Sequence, residues 1–137
     1  MKAEAKLRLS LLLLRLGVFI VMFMWTLDKF VKPDHGIGIF KNFYFLNGMS
    51  SQIMYALGAL EAIVILGFVA GFQKKWTYTI VLALDAVSTF SAYGRYLDPW
   101  KNVLFFAAWP MLAACIALYL LRDEDTLFAL EKKRRAD

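Results

Sequence analysis

The chain has 137 residues, of which 61% are hydrophobic and 16% aromatic, while only 20% are charged and the net charge is +5. Soluble domains are ~45–50% apolar, and a chain this short has too little interior to hide the excess, so an ordinary soluble globule is excluded and a lipid-facing exterior is indicated. One cysteine, Cys115, and one histidine, His35, exclude an internal disulfide framework, a cysteine-rich metal or iron–sulfur site and a multi-histidine cage.

Four apolar stretches follow one another, at about residues 9–31, 51–72, 76–94 and 103–121. Each approaches the ~20 residues that carry a helix across ~30 Å of hydrocarbon. They predict an all-α, polytopic membrane protein: a single transmembrane domain over residues 1–137, built as a four-helix up-down bundle, with a short cytoplasmic tail at 122–137. Lys2, Lys6 and Arg8 before the first stretch mimic a signal peptide. That stretch is about twice the length of a signal h-region and no A-x-A site follows it, so a retained first helix is expected.

The connections read as a Gly- and aromatic-containing loop at 32–49, a tight basic turn at 73–75 and a short polar turn with Pro99 at 95–102. Basic residues flank the apolar runs, which argues for membrane topology and against nucleic acid. Lys2, Lys6, Arg8, Lys74, Lys75, Arg122, Lys132, Lys133, Arg134 and Arg135 fall on one side, and Lys32, Lys41, Arg95 and Lys101 on the other. Ten against four places both termini in the cytoplasm. Trp25, Tyr44, Trp76, Tyr96 and Trp100 lie near the span ends, as an aromatic belt requires. Residues 126–135 read either as a short interfacial helix on anionic lipid or as a solvated tail.

A charge inside the bilayer costs at least ~2.5–3.5 kcal/mol, so it needs a partner or a function. Arg15, Glu61 and Asp85 are such charges, with Lys29 at the outer end of the first helix. Counting from the cytoplasmic ends puts Glu61 and Asp85 about 14–16 Å deep and Arg15 about 9 Å deep, so the Arg15 stem could reach toward the acids or snorkel to the cytoplasmic headgroups instead, and an encounter requires all three to face inward. Helical phase agrees. Arg15, Phe19, Met22 and Lys29 share one line on the first helix, and Tyr78, Asp85, Ala92 and Tyr96 share a stripe flanked by Ser88 and Thr89 on the third. Gly58-x-x-x-Ala62 and Gly67-x-x-x-Gly71 allow close helix approach, and Pro110 is expected to kink the fourth helix.

Two readings of these groups stand side by side. In one they are an ion cluster that fixes helix register. In the other, Arg15, Lys29, Glu61, Asp85, Ser88, Thr89 and Tyr96 line a pocket for a proton, a quinone or a small polar ligand. Asp34 and His35 could form a carboxylate–imidazole pair, but a lone histidine falls short of the roughly four ligands of a structural zinc site, and no metal is expected. Cys115 on an apolar helix reads as a small hydrophobe. The absence of Walker A, G-x-S-x-G, H-E-x-x-H and C-x-x-C motifs leaves no familiar catalytic apparatus.

The segments Leu14-Arg15-Leu16-Gly17, Lys29-Phe30 and Tyr55-Ala56-Leu57-Gly58-Ala59-Leu60-Glu61, with the polar-aromatic end of the third helix, resemble the DoxX-like family of small four-helix bacterial membrane proteins. The likeness runs from Leu9 to about Leu121. That family is named for a subunit of a thiosulfate:quinone oxidoreductase. The resemblance therefore implies a multi-pass protein of the bacterial cytoplasmic (inner) membrane, acting as an accessory or anchor subunit of a redox complex rather than a catalyst by itself. It further implies other membrane or redox subunits as partners and quinone as a non-covalent ligand. Arg15 and Lys29 match the family pattern, whereas Glu61 and Asp85 are singled out by the cost of burying charge. The alternatives are a small proton- or cation-coupled transporter or channel, with Glu61 and Asp85 as the relay, and a purely structural assembly factor.

Overall fold

A computed structural model describes residues 2–43, 45, 48 and 50–131. Tyr44 of the expected aromatic belt and Lys132, Lys133, Arg134 and Arg135 of the charge count lie outside the described residues. The described chain is all-helical: α1 (Ala3–Val31), α2 (Pro33–Phe43), α3 (Ser51–Val69), α4 (Lys74–Ser91), the single turn α5 (Tyr93–Tyr96), a 3-10 turn at Val103–Ala107, and α6 (Ala108–Leu120). Among these residues three helices are long and apolar enough to cross a membrane: α1, α3 and the continuous Val103–Leu120 unit. α4 is comparable in length but carries Lys74, Lys75 and Asp85.

α1 packs on α3 and α6, and α4 packs on the same two helices, so the four close into a ring. Leu11, Val18 and Met22 from α1, Ile65 and Phe68 from α3, Tyr78 and Val81 from α4, and Cys115 and Leu118 from α6 fill its centre. The outside is also apolar. Leu13, Ile20 and Met24, Leu60, Ile63 and Leu66, and Val87 and Phe90 are all exposed. Helices that are apolar all round suit a lipid surround rather than water.

Local signals explain the element ends. Pro33 disfavours helix at Lys32 and opens α2 at the position where its missing N–H costs nothing. The Ser50 side chain caps α3 by accepting from the Ile53 N–H at 3.2 Å. Gly71, at φ 66°, takes the left-handed conformation that ends α3.

The structure corrects four of the expectations. The 32–49 connection contains helix α2. Its glycines suggested a loop, yet a Cβ at Gly36 would sit 2.9 Å from Met54 Sδ, so this glycine serves close packing against α3. The third stretch stops at Ser91, with Ala92 separating α4 from α5. The fourth begins as a 3-10 turn, and Pro110 lies in the first turn of α6, where it marks a helix start rather than a kink. The described part of the 126–135 stretch is neither an interfacial helix nor a solvated tail: residues 126–131 are non-helical and fold back onto the bundle, with Ala129 buried.

Candidate functional site

The seven polar residues singled out in the sequence separate into three places. Arg15 is fully buried where segment 121–131 crosses the end of the bundle that holds the α3–α4 turn. Its guanidinium pairs with Asp125 Oδ1 at 3.1 Å and also donates to the Leu127 and Phe128 carbonyls. Tyr78 Oη donates to the other Asp125 oxygen at 2.5 Å. Lys74 Nζ donates to the Arg122 carbonyl at 2.9 Å and to the Asp125 carbonyl at 2.5 Å. Leu130 N–H to the Ala70 carbonyl (2.8 Å) and Glu131 N–H to the Gly71 carbonyl (2.9 Å) complete the attachment.

Arg15 therefore meets neither Glu61 nor Asp85 but Asp125, a residue of the expected cytoplasmic tail at 122–137. The depth estimate explains the error. α1 begins at Ala3, and the Arg15 guanidinium lies 3.4 Å from where a Cβ on Gly71 would be, level with the α3–α4 turn rather than with the acids. The sequence carried one usable signal: Asp125 follows the last apolar stretch closely enough to fold back on it.

Lys29 and Glu61 do come together. Their ion pair spans 2.7 Å across the α1–α3 seam, with side chains 15% and 18% exposed. Gly58 permits the approach, since a Cβ there would meet the Phe30 ring at 2.8 Å. Phe30 in turn stacks on Tyr55, with centroids 6.0 Å apart. On the same side of α1, His35 Nδ1 lies 2.6 Å from Asp28 Oδ2, so the carboxylate–imidazole pair uses Asp28 and not Asp34.

The third place is the α4–α6 side. Asp85 is 1% exposed, and neither carboxylate oxygen has a hydrogen-bond partner. One turn on, Thr89 is equally buried and its hydroxyl is likewise unpartnered. Cys115 of α6 and Tyr96 are both close enough to interact with Asp85. Tyr96 closes this region by donating to the Thr89 carbonyl at 2.9 Å, and its ring packs against Phe106 and Trp109 at 5.3 and 5.2 Å. Ser88 is half-buried beside Thr89.

A buried carboxylate without a partner costs several kcal/mol. The arrangement is therefore suited to receive a proton, a cation or a hydrogen-bond donor. Among the described residues no three His, Cys, Asp or Glu side chains converge as metal ligands would. A separate open concavity of about 380 Å³, lined by Asn42, Ser91, Arg95, Asp98 and Asn102 among others, contains none of the seven predicted residues.

Compared with known proteins, the chain matches no family model, no curated protein and no solved structure.

Proposed function

We propose that this chain is a four-span protein of the bacterial cytoplasmic membrane, with α4 as the additional span and both termini in the cytoplasm. In this reading it is an accessory subunit that anchors a redox complex and offers its α4–α6 interior to a small polar ligand such as a quinone. The distribution of residues on α4 supports the fourth span. Lys74, Tyr78, Asp85 and Thr89 are buried, whereas Ile80, Leu84, Val87 and Phe90 are exposed. A helix with its ionisable groups turned inward and an apolar outer face tolerates a bilayer.

The observation that carries the ligand reading is the buried Asp85 carboxylate, which has no hydrogen-bond donor stronger than the Cys115 thiol beside it. Arg15 and Lys29, which match the DoxX-like pattern, are taken up by Asp125 and Glu61. That leaves Asp85, Thr89 and Tyr96 as the polar groups open to a guest. The redox assignment draws on the resemblance.

The test is purification at native expression level in mild detergent, with mass spectrometry of partners and quinone extraction. The reading expects an oxidoreductase subunit in constant ratio and extractable quinone that falls in Asp85→Asn. A bare oligomer that moves protons into liposomes, and stops doing so in Asp85→Asn, would support the transporter alternative instead.

A further inference from the structure

The open concavity of about 380 Å³ lies at the end of the bundle that carries α2. Asn42 of α2, Ser91 at the end of α4, Tyr93 and Arg95 of α5, and Asp98 and Asn102 of the following connection line it. α5 is a single turn, set off from α4 at Ala92 (φ −86°, ψ 18°). Three of its four residues, Tyr93, Gly94 and Arg95, border the concavity. The fourth, Tyr96, turns into the bundle. Its hydroxyl donates to the Thr89 carbonyl at 2.9 Å, its ring packs on Phe106 and Trp109, and it is close enough to interact with Asp85. Ser91 lies on the same helix as Asp85, roughly 9 Å further along it at the α-helical rise.

A one-turn helix with open space on one side and a buried carboxylate on the other is a barrier one side chain thick. We propose that the concavity is the entrance to the Asp85–Thr89 site and that Tyr96 is the gate between them, admitting a small polar guest of no net charge from the α2 end of the bundle. The entrance sets the class of guest. Arg95 and Asp98 oppose each other in sign, so ions of neither sign are concentrated there. Asn42, Asn102 and Tyr93 offer uncharged donors and acceptors. Inside, the Asp85 carboxylate oxygens and the Thr89 hydroxyl are the buried atoms left to receive the guest. This inference rests on the reading of Asp85 as the receiving group, whereas the route itself is a property of the fold.

The sole cysteine, Cys115, lies beside Asp85 and reports arrival. The full chain in its membrane is treated with a small impermeant methanethiosulfonate, and modification of Cys115 is followed by mass. Reagent is added to the face that modifies a Gly38→Cys reporter on α2 in a Cys115→Ser chain. Modification of the unaltered protein is expected to be slow. Tyr96→Ala removes one hydrogen bond and two ring contacts and should speed it at least about tenfold. Adding Gly94→Trp, at a position where a Cβ meets nothing within 4 Å, fills the concavity and should return the rate to that of the unaltered protein. No acceleration in Tyr96→Ala would overturn the proposal. So would equal acceleration from the opposite face, or acceleration that Gly94→Trp leaves in place, since the reagent would then arrive by another path. If Tyr96→Ala does not fold, Tyr96→Leu, which retains more packing against Phe106 and Trp109, takes its place under the same criteria. Modification needs no guest, so a fast, blockable route beside undiminished extractable quinone in Asp85→Asn would keep the gate and remove the ligand reading.

Discussion

Arg15 and Asp125, 110 positions apart in sequence, form an ion pair at 3.1 Å in which both side chains are essentially inaccessible. The pair joins the first helix to the segment that follows the last one. Tyr78 and Lys74 of α4 bind the same aspartate through its free carboxylate oxygen and its carbonyl. One residue thus fastens three parts of the chain, and its loss should be felt in all of them.

Asp125→Ala leaves the Arg15 guanidinium buried without its counter-charge and should destabilise by roughly 3–5 kcal/mol. Arg15→Met combined with Asp125→Leu removes both charges and should cost clearly less than Asp125→Ala. Thermal unfolding in detergent of Arg15→Met, Asp125→Leu and their double variant measures the coupling. Additive single effects would show that the pair is not a unit.

Glycine positions give a graded series. A Cβ on Gly71 would lie 2.5 Å from the Ala129 Cβ at a backbone of φ 66°, so Gly71→Ala should cost about 1–3 kcal/mol and speed tryptic cleavage after Arg122. Nothing lies within 4 Å of a Cβ on Gly17, which is in the interior of α1. Gly17→Ala should therefore be neutral or stabilise by up to about 1 kcal/mol. The same unfolding assay ranks them, and a reversed order would contradict the packing described.

Ion pairs should differ with exposure. Lys29 and Glu61 are mostly shielded at 2.7 Å, whereas Asp98 and Lys101 are exposed at 4.0 Å. Glu61→Gln should lower stability by roughly 1.5–3 kcal/mol, while Asp98→Asn should change it by about 0–1 kcal/mol. Parallel melting curves decide the comparison.

Topology is tested by single cysteines in a Cys115→Ser background. Ala3→Cys and Ala136→Cys should be shielded from an impermeant thiol reagent in intact cells, and Gly38→Cys should be labelled. Position 38 has open space for a side chain, so the substitution leaves α2 in place. Labelling of both termini from outside would reverse the proposed orientation.

What was legible in the sequence followed from local periodicity. The apolar stretches mark α1, α3, α4 and the Val103–Leu120 unit because helices in lipid are apolar at least on their outer faces, and of the stripe that a 100° rotation per residue gives, Tyr78, Asp85 and Ala92 are buried with the flanking Thr89, while Tyr96 lies in α5 and is half-buried. Helix α2 was obscured because Gly36 and Gly38 resemble loop glycines, although Gly36 is there to admit Met54. Lys29 and Glu61 were each singled out but not paired, since phase says which face a residue occupies and not which residue opposes it. Asp125 was the most hidden. It sits in the charged run Arg122-Asp123-Glu124-Asp125, where composition alone suggests solvent, and only the return of the chain onto Arg15 gives it a different role.

The central claim is that Asp85 is retained for what it receives and not for what it holds together. Asp85→Leu and Asp85→Asn, compared with the unaltered protein for melting temperature and for quinone-linked activity of the complex proposed above, test it directly. Because the carboxylate has no partner stronger than the Cys115 thiol to lose, Asp85→Leu should leave stability unchanged or raise it by up to about 4 kcal/mol, Asp85→Asn should fold normally, and both should lose activity. A marked fall in melting temperature with activity preserved would make Asp85 a structural residue and contradict the account.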